Sequence, residues 1–337
     1  MVYLATRGSA LALAQTQIIL EQCRELFPQW RFERKAIKTT GDKLQTASLA
    51  NANLPKGLFT KELETALLAG EADLAIHSLK DLPTELPAGL KLGAVSQRAD
   101  VRDVLIYRGA AFLASEPECD WAGQSEPAKV PRRGFGPGLK IADLPNGATV
   151  ATGSTRRCAQ LLDLRSDLKI VPIRGNVGTR LNKLAALAEL DALVLAVAGL
   201  DRLGLRIDEK SQLRGENVAN GLLATPIQTA EMLPCVGQAA IGIEIRANDP
   251  LIEQLCEKLN DYSSMQCVCA ERAFLRGMGG GCQIAVGAHA EARGENLYMR
   301  VVSFLSDRPI RREGQGLITA PDELGQRLAK QVVGAPG

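Results

Sequence analysis

Thr149-Val150-Ala151-Thr152-Gly153-Ser154-Thr155-Arg156-Arg157 is the stretch on which the fold turns. A short apolar strand breaks at Gly-Ser, and an arginine pair then opens a helical pattern. Cations at a helix start oppose the macrodipole, so the pair reads as ligand-directed rather than as a helix stabiliser. The same order recurs along the chain. Residues 2–6 form a strand that ends in Arg7-Gly8-Ser9, with Ser9 placed to cap a helix over 10–27. Residues 73–76 lead into His77-Ser78-Leu79-Lys80-Asp81-Leu82-Pro83. Residues 169–173 lead into Arg174-Gly175-Asn176-Val177-Gly178-Thr179-Arg180, where Thr179 is expected to cap the next helix. Residues 192–196 lead into Ala198-Gly199-Leu200-Asp201-Arg202. Strands alternating with helices predict α/β units, and in such sheets the carboxyl ends of the parallel strands face the ligand. Five successive basic strand ends therefore predict two α/β units that gather cations around one anionic ligand.

The remaining chain is assigned around this frame. Residues 31–38 read as a strand, and the polar segment through Asn53 as a mobile loop. Lys56-Gly57-Leu58-Phe59 introduces a helix with Leu63, Leu67 and Leu68 on one face, closed by Gly70, and Phe59 reads on its own as a core residue. The charged run 97–103 is expected to cross between units, and residues 104–107 to begin the second. Residues 109–138, rich in Pro, Gly, Ser and Glu, read as an inserted surface loop with no chemistry assigned. Residues 235–244 read as a strand returning to the first unit, followed by a helix over 249–259. Residues 270–276 are helical with Gly277 as the stop. Beyond it stands Gly277-Met278-Gly279-Gly280-Gly281-Cys282-Gln283, where glycines let a ligand approach and Cys282 is the candidate for covalent chemistry. The plainer alternative is an inert buried thiol beside a turn. Strands at 285–290 and 297–304, a hairpin at Gly294-Glu295-Asn296 and a helix over 322–333 complete a small α+β domain.

Composition narrows the class. The 337 residues are 46% hydrophobic and 23% charged, with a formal net charge of +2. This is globular, and too nearly neutral for nucleic-acid binding by overall charge. The eight cysteines lack Cys-x-x-Cys spacing and suit a reducing cytoplasm. His77 and His289 are the only histidines and neither stands in metal-ligand spacing to a cysteine, so no metal is expected. No apolar run approaches a membrane span. An arginine-lined site wants carboxylate or phosphate. The absence of Walker-type and dinucleotide glycine motifs favours a polycarboxylate.

Taken in order, Ala5-Thr6-Arg7-Gly8-Ser9, Lys56-Gly57-Leu58-Phe59, His77 through Pro83, Ser154-Thr155-Arg156-Arg157, Arg174 through Leu181, Val236-Gly237-Gln238 and Gly280-Gly281-Cys282-Gln283 closely resemble the porphobilinogen deaminase (hydroxymethylbilane synthase) family. The resemblance implies two periplasmic-binding-protein-like α/β domains plus a smaller α+β C-terminal domain. The expected divisions are 1–100 with 236–258, 101–235, and 259–337. It implies a dipyrromethane cofactor held by a thioether on Cys282, onto which four porphobilinogen units are joined head to tail with loss of ammonia. Asp81 then matches the catalytic carboxylate, with Lys80 beside it. Lys80, Asp81, Ser154, Arg156, Arg157 and Arg180 match the cofactor-binding set, and Arg7, Ser9, Phe59, Arg174 and Arg202 the substrate-binding set. Asp81 is expected to sit in a partly desolvated site, protonating the departing amine and steadying cationic pyrrole nitrogens. A cytoplasmic monomer that hands its product to a following enzyme is the implied setting. The sequence departs from the family pattern in the length of the 109–138 insert, in Ala285 where a proline is usual, and in an extended loop after Arg206.

Overall fold

The computed structural model describes residues 1–40, 60–114, 132–216, 218–281 and 284–334. The loop assigned before residue 53, Phe59, the middle of the insert, and Cys282 with Gln283 lie outside these residues. The chain divides into two compact units, Met1–Val101 with Leu233–Gly337, and Arg102–Met232.

In chain order the strands are β1 (Val2–Arg7), β2 (Phe32–Ile37), β3 (Leu74–Ser78), β4 (Leu90–Val95), β5 (Asp103–Arg108), β6 (Thr149–Ala151), β7 (Lys169–Val171), β8 (Ala192–Ala196), β9 (Arg206–Ile207), β10 (Leu213–Arg214), β11 (Leu222–Pro226), β12 (Ile241–Arg246), β13 (Val286–Arg293), β14 (Asn296–Ser303) and β15 (Ile310–Leu317). The described helices are α1 (Ala10–Leu26), α2 (Lys61–Leu68), α3 (Ala110–Ala114), α4 (Thr155–Leu164), α5 (Val177–Ala186), α6 (Val197–Arg202), α7 (Pro250–Leu259), α8 (Tyr262–Gly277) and α9 (Pro321–Val333).

The two large sheets share one plan. The first runs β2-β1-β3-β12-β4 and the second, read from its other edge, β7-β6-β8-β5-β11. In each, the second strand pairs in parallel with both neighbours, β1 with β2 and β3, β6 with β7 and β8. Then comes one antiparallel strand, β12 in the first sheet and β5 in the second. β5 begins just after the chain enters the second unit, and β12 follows its return to the first. The α/β class expected from the strand–turn–helix repeats is the observed one.

Apolar side chains of these strands form the cores. Leu4, Leu74, Ile76, Ile243 and Ile245 pack with Ile19, Ile252 and Leu255 of the covering helices in the first unit. Val104, Ile106, Leu193 and Leu195 pack with Leu181 and Leu184 in the second. Each fully buried aliphatic side chain of this kind contributes roughly 1.5–3 kcal/mol. A third sheet, β13-β14-β15, is antiparallel throughout and buries Ala288, Met299 and Val301 against Phe274 of α8 and Leu328 of α9.

Several local expectations are corrected. Leu68 is 52% exposed, because α2 buries Leu63, Glu64, Ala66 and Leu67 and turns Leu68 outward. Asn176, not Thr179, caps α5: its side chain accepts from the Thr179 amide at 2.8 Å. The Thr179 hydroxyl also reaches Asn176 Oδ1, at 2.9 Å, since an Asx side chain fits the extended cap position better than a residue already inside the helix. The ends of the 109–138 insert are not loose surface. Residues 110–114 form α3, Phe135 bridges Gly109, and its ring meets Tyr107 edge-on at 6.1 Å. Arg98, in the charged run expected to be a linker, has a side chain only 9% exposed. Helix α8 begins well before residue 270 and includes Gly277, while Gly279 takes the left-handed conformation at φ 70. Gly277 is small for packing: a Cβ there would lie 2.5 Å from Ala329 Cβ. β15 was not expected at all. Its Ile-Arg-Arg-Glu-Gly-Gln-Gly-Leu sequence is mostly exposed and lacks the apolar alternation of its neighbours.

Candidate functional site

In the first unit, β1 and β3 are adjacent parallel strands, so the residues that follow them emerge at the same sheet edge. Arg7 ends β1 and is half-buried. Ser9 caps α1 by accepting from the Ala12 amide at 3.4 Å, and buried Thr6 donates to the Ala12 carbonyl at 3.2 Å. After β3, a single 3-10 turn covers Leu79–Asp81. Leu79 and Leu82 are buried, which rolls the intervening Asp81 outward. Asp81 is exposed in this structure, contrary to the expectation of a partly desolvated carboxylate, while Lys80 is half-buried beside it.

That turn is held from several sides. The Leu79 amide donates to the Ala240 carbonyl at 3.1 Å. Gly237, in the left-handed region at φ 69, packs its α-carbon face against the turn, and a Cβ would come within 3.2 Å of Leu79 Cγ. The Gly237 amide donates to Glu271 Oε2 at 2.8 Å, and Glu271 also accepts both terminal nitrogens of Arg98, at 2.6 and 3.0 Å. Arg272 donates to the Leu82 and Pro83 carbonyls at 3.1 and 2.6 Å. Burial pulls the Arg272 guanidinium down to about 10, with Arg276 adding to the effect, so it remains charged near neutrality. Glu271 and Arg272 both belong to α8, the helix that runs into the glycine–cysteine stretch. Behind the turn, His77 Nε2 lies 3.0 Å from Glu244 Oε2, both buried. Burial lifts the nearby Glu64 carboxyl above its usual range.

In the second unit the parallel strands β6, β7 and β8 lead to Ser154, Arg156 and Arg157, to Arg174 and Arg180, and to Arg202 respectively. Ser154 caps α4 as Ser9 caps α1, accepting from the Arg157 amide at 3.4 Å. Arg156 and Arg157 are 3% and 6% exposed, and the structure brings both onto one carboxylate. Asp103, fully buried, accepts Arg156 Nη1 at 2.6 Å and Nη2 at 3.2 Å, and Arg157 Nε at 3.0 Å and Nη2 at 2.8 Å. Arg157 Nη1 also donates to the Val194 carbonyl at 2.9 Å. Arg174 is exposed, whereas Arg180 folds back, its Nε donating to the Gly175 carbonyl at 2.8 Å. Arg202 does not stand at a strand end as expected. It closes the short helix α6, where a cation suits the carbonyl end of the macrodipole, and burial brings it down to about 10.

Asp103 escaped the sequence reading because it sat in a charged run assigned to the crossing. The available signal was an aspartate followed at once by the apolar Val104-Leu105-Ile106-Tyr107, an acid drawn into a buried strand. The described thiols give a further contrast. Burial pushes Cys23 and Cys256 up to about 12 and Cys267 to about 11, and raises Cys158 and Cys269, so these five are poor sources of thiolate. Among the described residues no helix is long and apolar enough to cross a membrane.

Two family models cover most of the chain. "Porphobilinogen deaminase, dipyromethane cofactor binding domain" matches residues 2–254, and "Porphobilinogen deaminase, C-terminal domain" matches residues 265–334. Among curated relatives, the porphobilinogen deaminase of Desulforudis audaxviator is 42% identical, covering 98% of this chain and 94% of that one. Those of Thermus thermophilus and Carboxydothermus hydrogenoformans are 41% and 37% identical, covering 99% and 98% of this chain and 95% and 93% of theirs. Among solved structures, the second substrate binding domain of a putative amino acid ABC transporter from Streptococcus pneumoniae covers 77% of this chain and 91% of its own. At 12% identity and a TM-score of 0.38, it adds nothing to the strand order described above.

Proposed function

The chain belongs to the porphobilinogen deaminase family, and from that premise we propose how its residues divide the work. The enzyme joins four porphobilinogen molecules head to tail on a dipyrromethane primer, losing ammonia at each addition, and yields the linear tetrapyrrole hydroxymethylbilane. The primer, when bound, supplies the pyrrole position from which the chain grows. The basic residues fit such a group: acetate and propionate side chains on every ring ask for repeated guanidinium and ammonium donors.

Cys282 carries the primer. Five of the described thiols are held protonated by burial, which makes them poor candidates for the attachment point. Ser154, Arg156, Arg157, Arg180 and Lys80 hold the primer's carboxylates. Arg7, Ser9, Arg174 and Arg202, with Phe59, receive the incoming porphobilinogen and the lengthening chain. Asp81 holds the proton that passes to the departing amine nitrogen and lies against pyrrole N–H groups as positive charge develops. The observation that carries this assignment is the mounting of Asp81. An exposed carboxylate stands on a turn gripped through Gly237 and Arg272 by α8, the helix that leads to Cys282.

The functional divisions are 1–100 with 236–258, 101–235, and 259–337, working as a monomer in the cytoplasm and passing product to a following enzyme. Intact-protein mass spectrometry tests the core of the reading. The protein carries a mass increment of two linked pyrroles, and Cys282→Ser abolishes both increment and turnover. An increment that persists in Cys282→Ser removes that residue from the assignment.

A further inference from the structure

We propose that Asp103 is a positioning residue for the primer: it fixes the two guanidiniums of Arg156 and Arg157 in the orientation that receives the primer's carboxylates. The inference rests on the reading that these arginines bind the primer, and adds a residue that reading does not contain.

The geometry is specific. Asp103 takes four N–H donors, two from each arginine, between 2.6 and 3.2 Å, and is itself fully buried. Arginine side chains have several rotatable bonds, and two adjacent guanidiniums at a helix start repel each other and the helix dipole. Left alone they would splay toward water. A bidentate carboxylate removes that freedom, because the planar fork accepts only a narrow range of partner positions.

Topology explains why the carboxylate comes from so far away in sequence. β5 runs antiparallel to β8, with Asp103 opposite Ala196, so the first residue of β5 lies beside the last residue of β8. An acid at the start of the antiparallel strand is thereby delivered to the edge where the parallel strands end and α4 begins. The backbone there is also fixed, since the Ile227 amide donates to the Asp103 carbonyl at 2.8 Å and the Val197 amide to the Arg102 carbonyl at 3.0 Å. The acid is thus anchored through its strand and the arginines through the Ser154-capped helix. The first sheet's antiparallel strand places Glu244 against His77, so an acid–arginine triad is not a by-product of the shared strand order.

The test follows primer attachment to apoprotein by intact mass, with porphobilinogen as the probe, alongside thermal unfolding of each variant. Asp103→Glu keeps the charge but moves the carboxylate by one methylene. It is expected to retain a melting temperature near wild type and to attach the primer at least about tenfold more slowly, since misplacement by about 1 Å costs this much or more. Asp103→Asn is expected to be slower still, and Asp103→Asn with Arg156→Gln no slower than the worse single variant, because both act through the same guanidiniums. If Asp103→Asn does not fold, Asp103→Glu carries the test. Attachment at the wild-type rate per folded molecule in Asp103→Glu overturns the proposal, whatever the change in stability. Failure of the wild-type protein itself to acquire the primer would instead overturn the functional reading on which the proposal rests.

Discussion

The two large sheets have the same strand order, yet they present their charged groups in opposite ways. In the first, the strand-end turn after β3 exposes a carboxylate, Asp81. In the second, the helix after β6 buries two arginines on Asp103. The comparison teaches that one backbone plan serves two electrostatic tasks. In the first, a carboxylate is left at the surface of a turn clamped by backbone and Arg272 contacts. In the second, two guanidiniums are locked by a buried counter-ion, which gives up solvation for orientation.

The largest expected effect falls on the exposed member. Asp81→Asn keeps the shape of the side chain and removes its proton affinity, so ammonia release should fall by about 10²–10⁴-fold while the primer is retained. Near-normal ammonia release would break the contrast, because Asp81 would then be one more surface carboxylate. A smaller effect tests the equivalence of the two strand ends. Ser9 and Ser154 cap α1 and α4 with the same 3.4 Å contact to the amide three residues on. Ser9→Ala and Ser154→Ala should therefore each cost about 1 kcal/mol in urea unfolding, and a loss at only one would show that the ends are not interchangeable.

The smallest effect concerns the acids inside the first unit. Burial raises the Glu64 carboxyl, so the folded chain holds that proton more tightly than the unfolded chain. The stability it contributes is present in full below the unfolded carboxyl's pKa and is lost as pH rises through the folded one. Glu64→Gln should then stabilise the protein more at about pH 7 than at about pH 4, by less than the capping losses. A change independent of pH would show that Glu64 is solvated in the folded chain.

Some features were legible because they are set within a few residues. The Gly-Ser breaks after β1 and β6 fix where helices start, since a serine at the cap satisfies an amide three positions along. Gly237 and Gly279 were not legible: residues 235–244 read as one strand although 236–239 form a turn before β12, and Gly277 reads as the helix stop in place of the left-handed Gly279. Others were not legible because their cause lies elsewhere in the chain. Nothing near Arg156 announces Asp103, and nothing near Arg98 announces Glu271. Arg202 looks like a strand-end cation until α6 forms and moves it to a helix end. β15 has too little apolar alternation to be recognised alone, because it is specified by pairing with β14 and by Gly314 and Gly316 passing close to Leu324 and Leu328.

By itself, then, the sequence determined the succession of strands, capped helices and basic turns, and through the order of its motifs the family and its chemistry. Those are short-range properties of backbone preference, side-chain period and residue type. Only the tertiary structure decided which of the charged residues are locked and which are left exposed. Burial and pairing depend on antiparallel strands that arrive from distant parts of the chain, and no local pattern encodes where such a strand will lie.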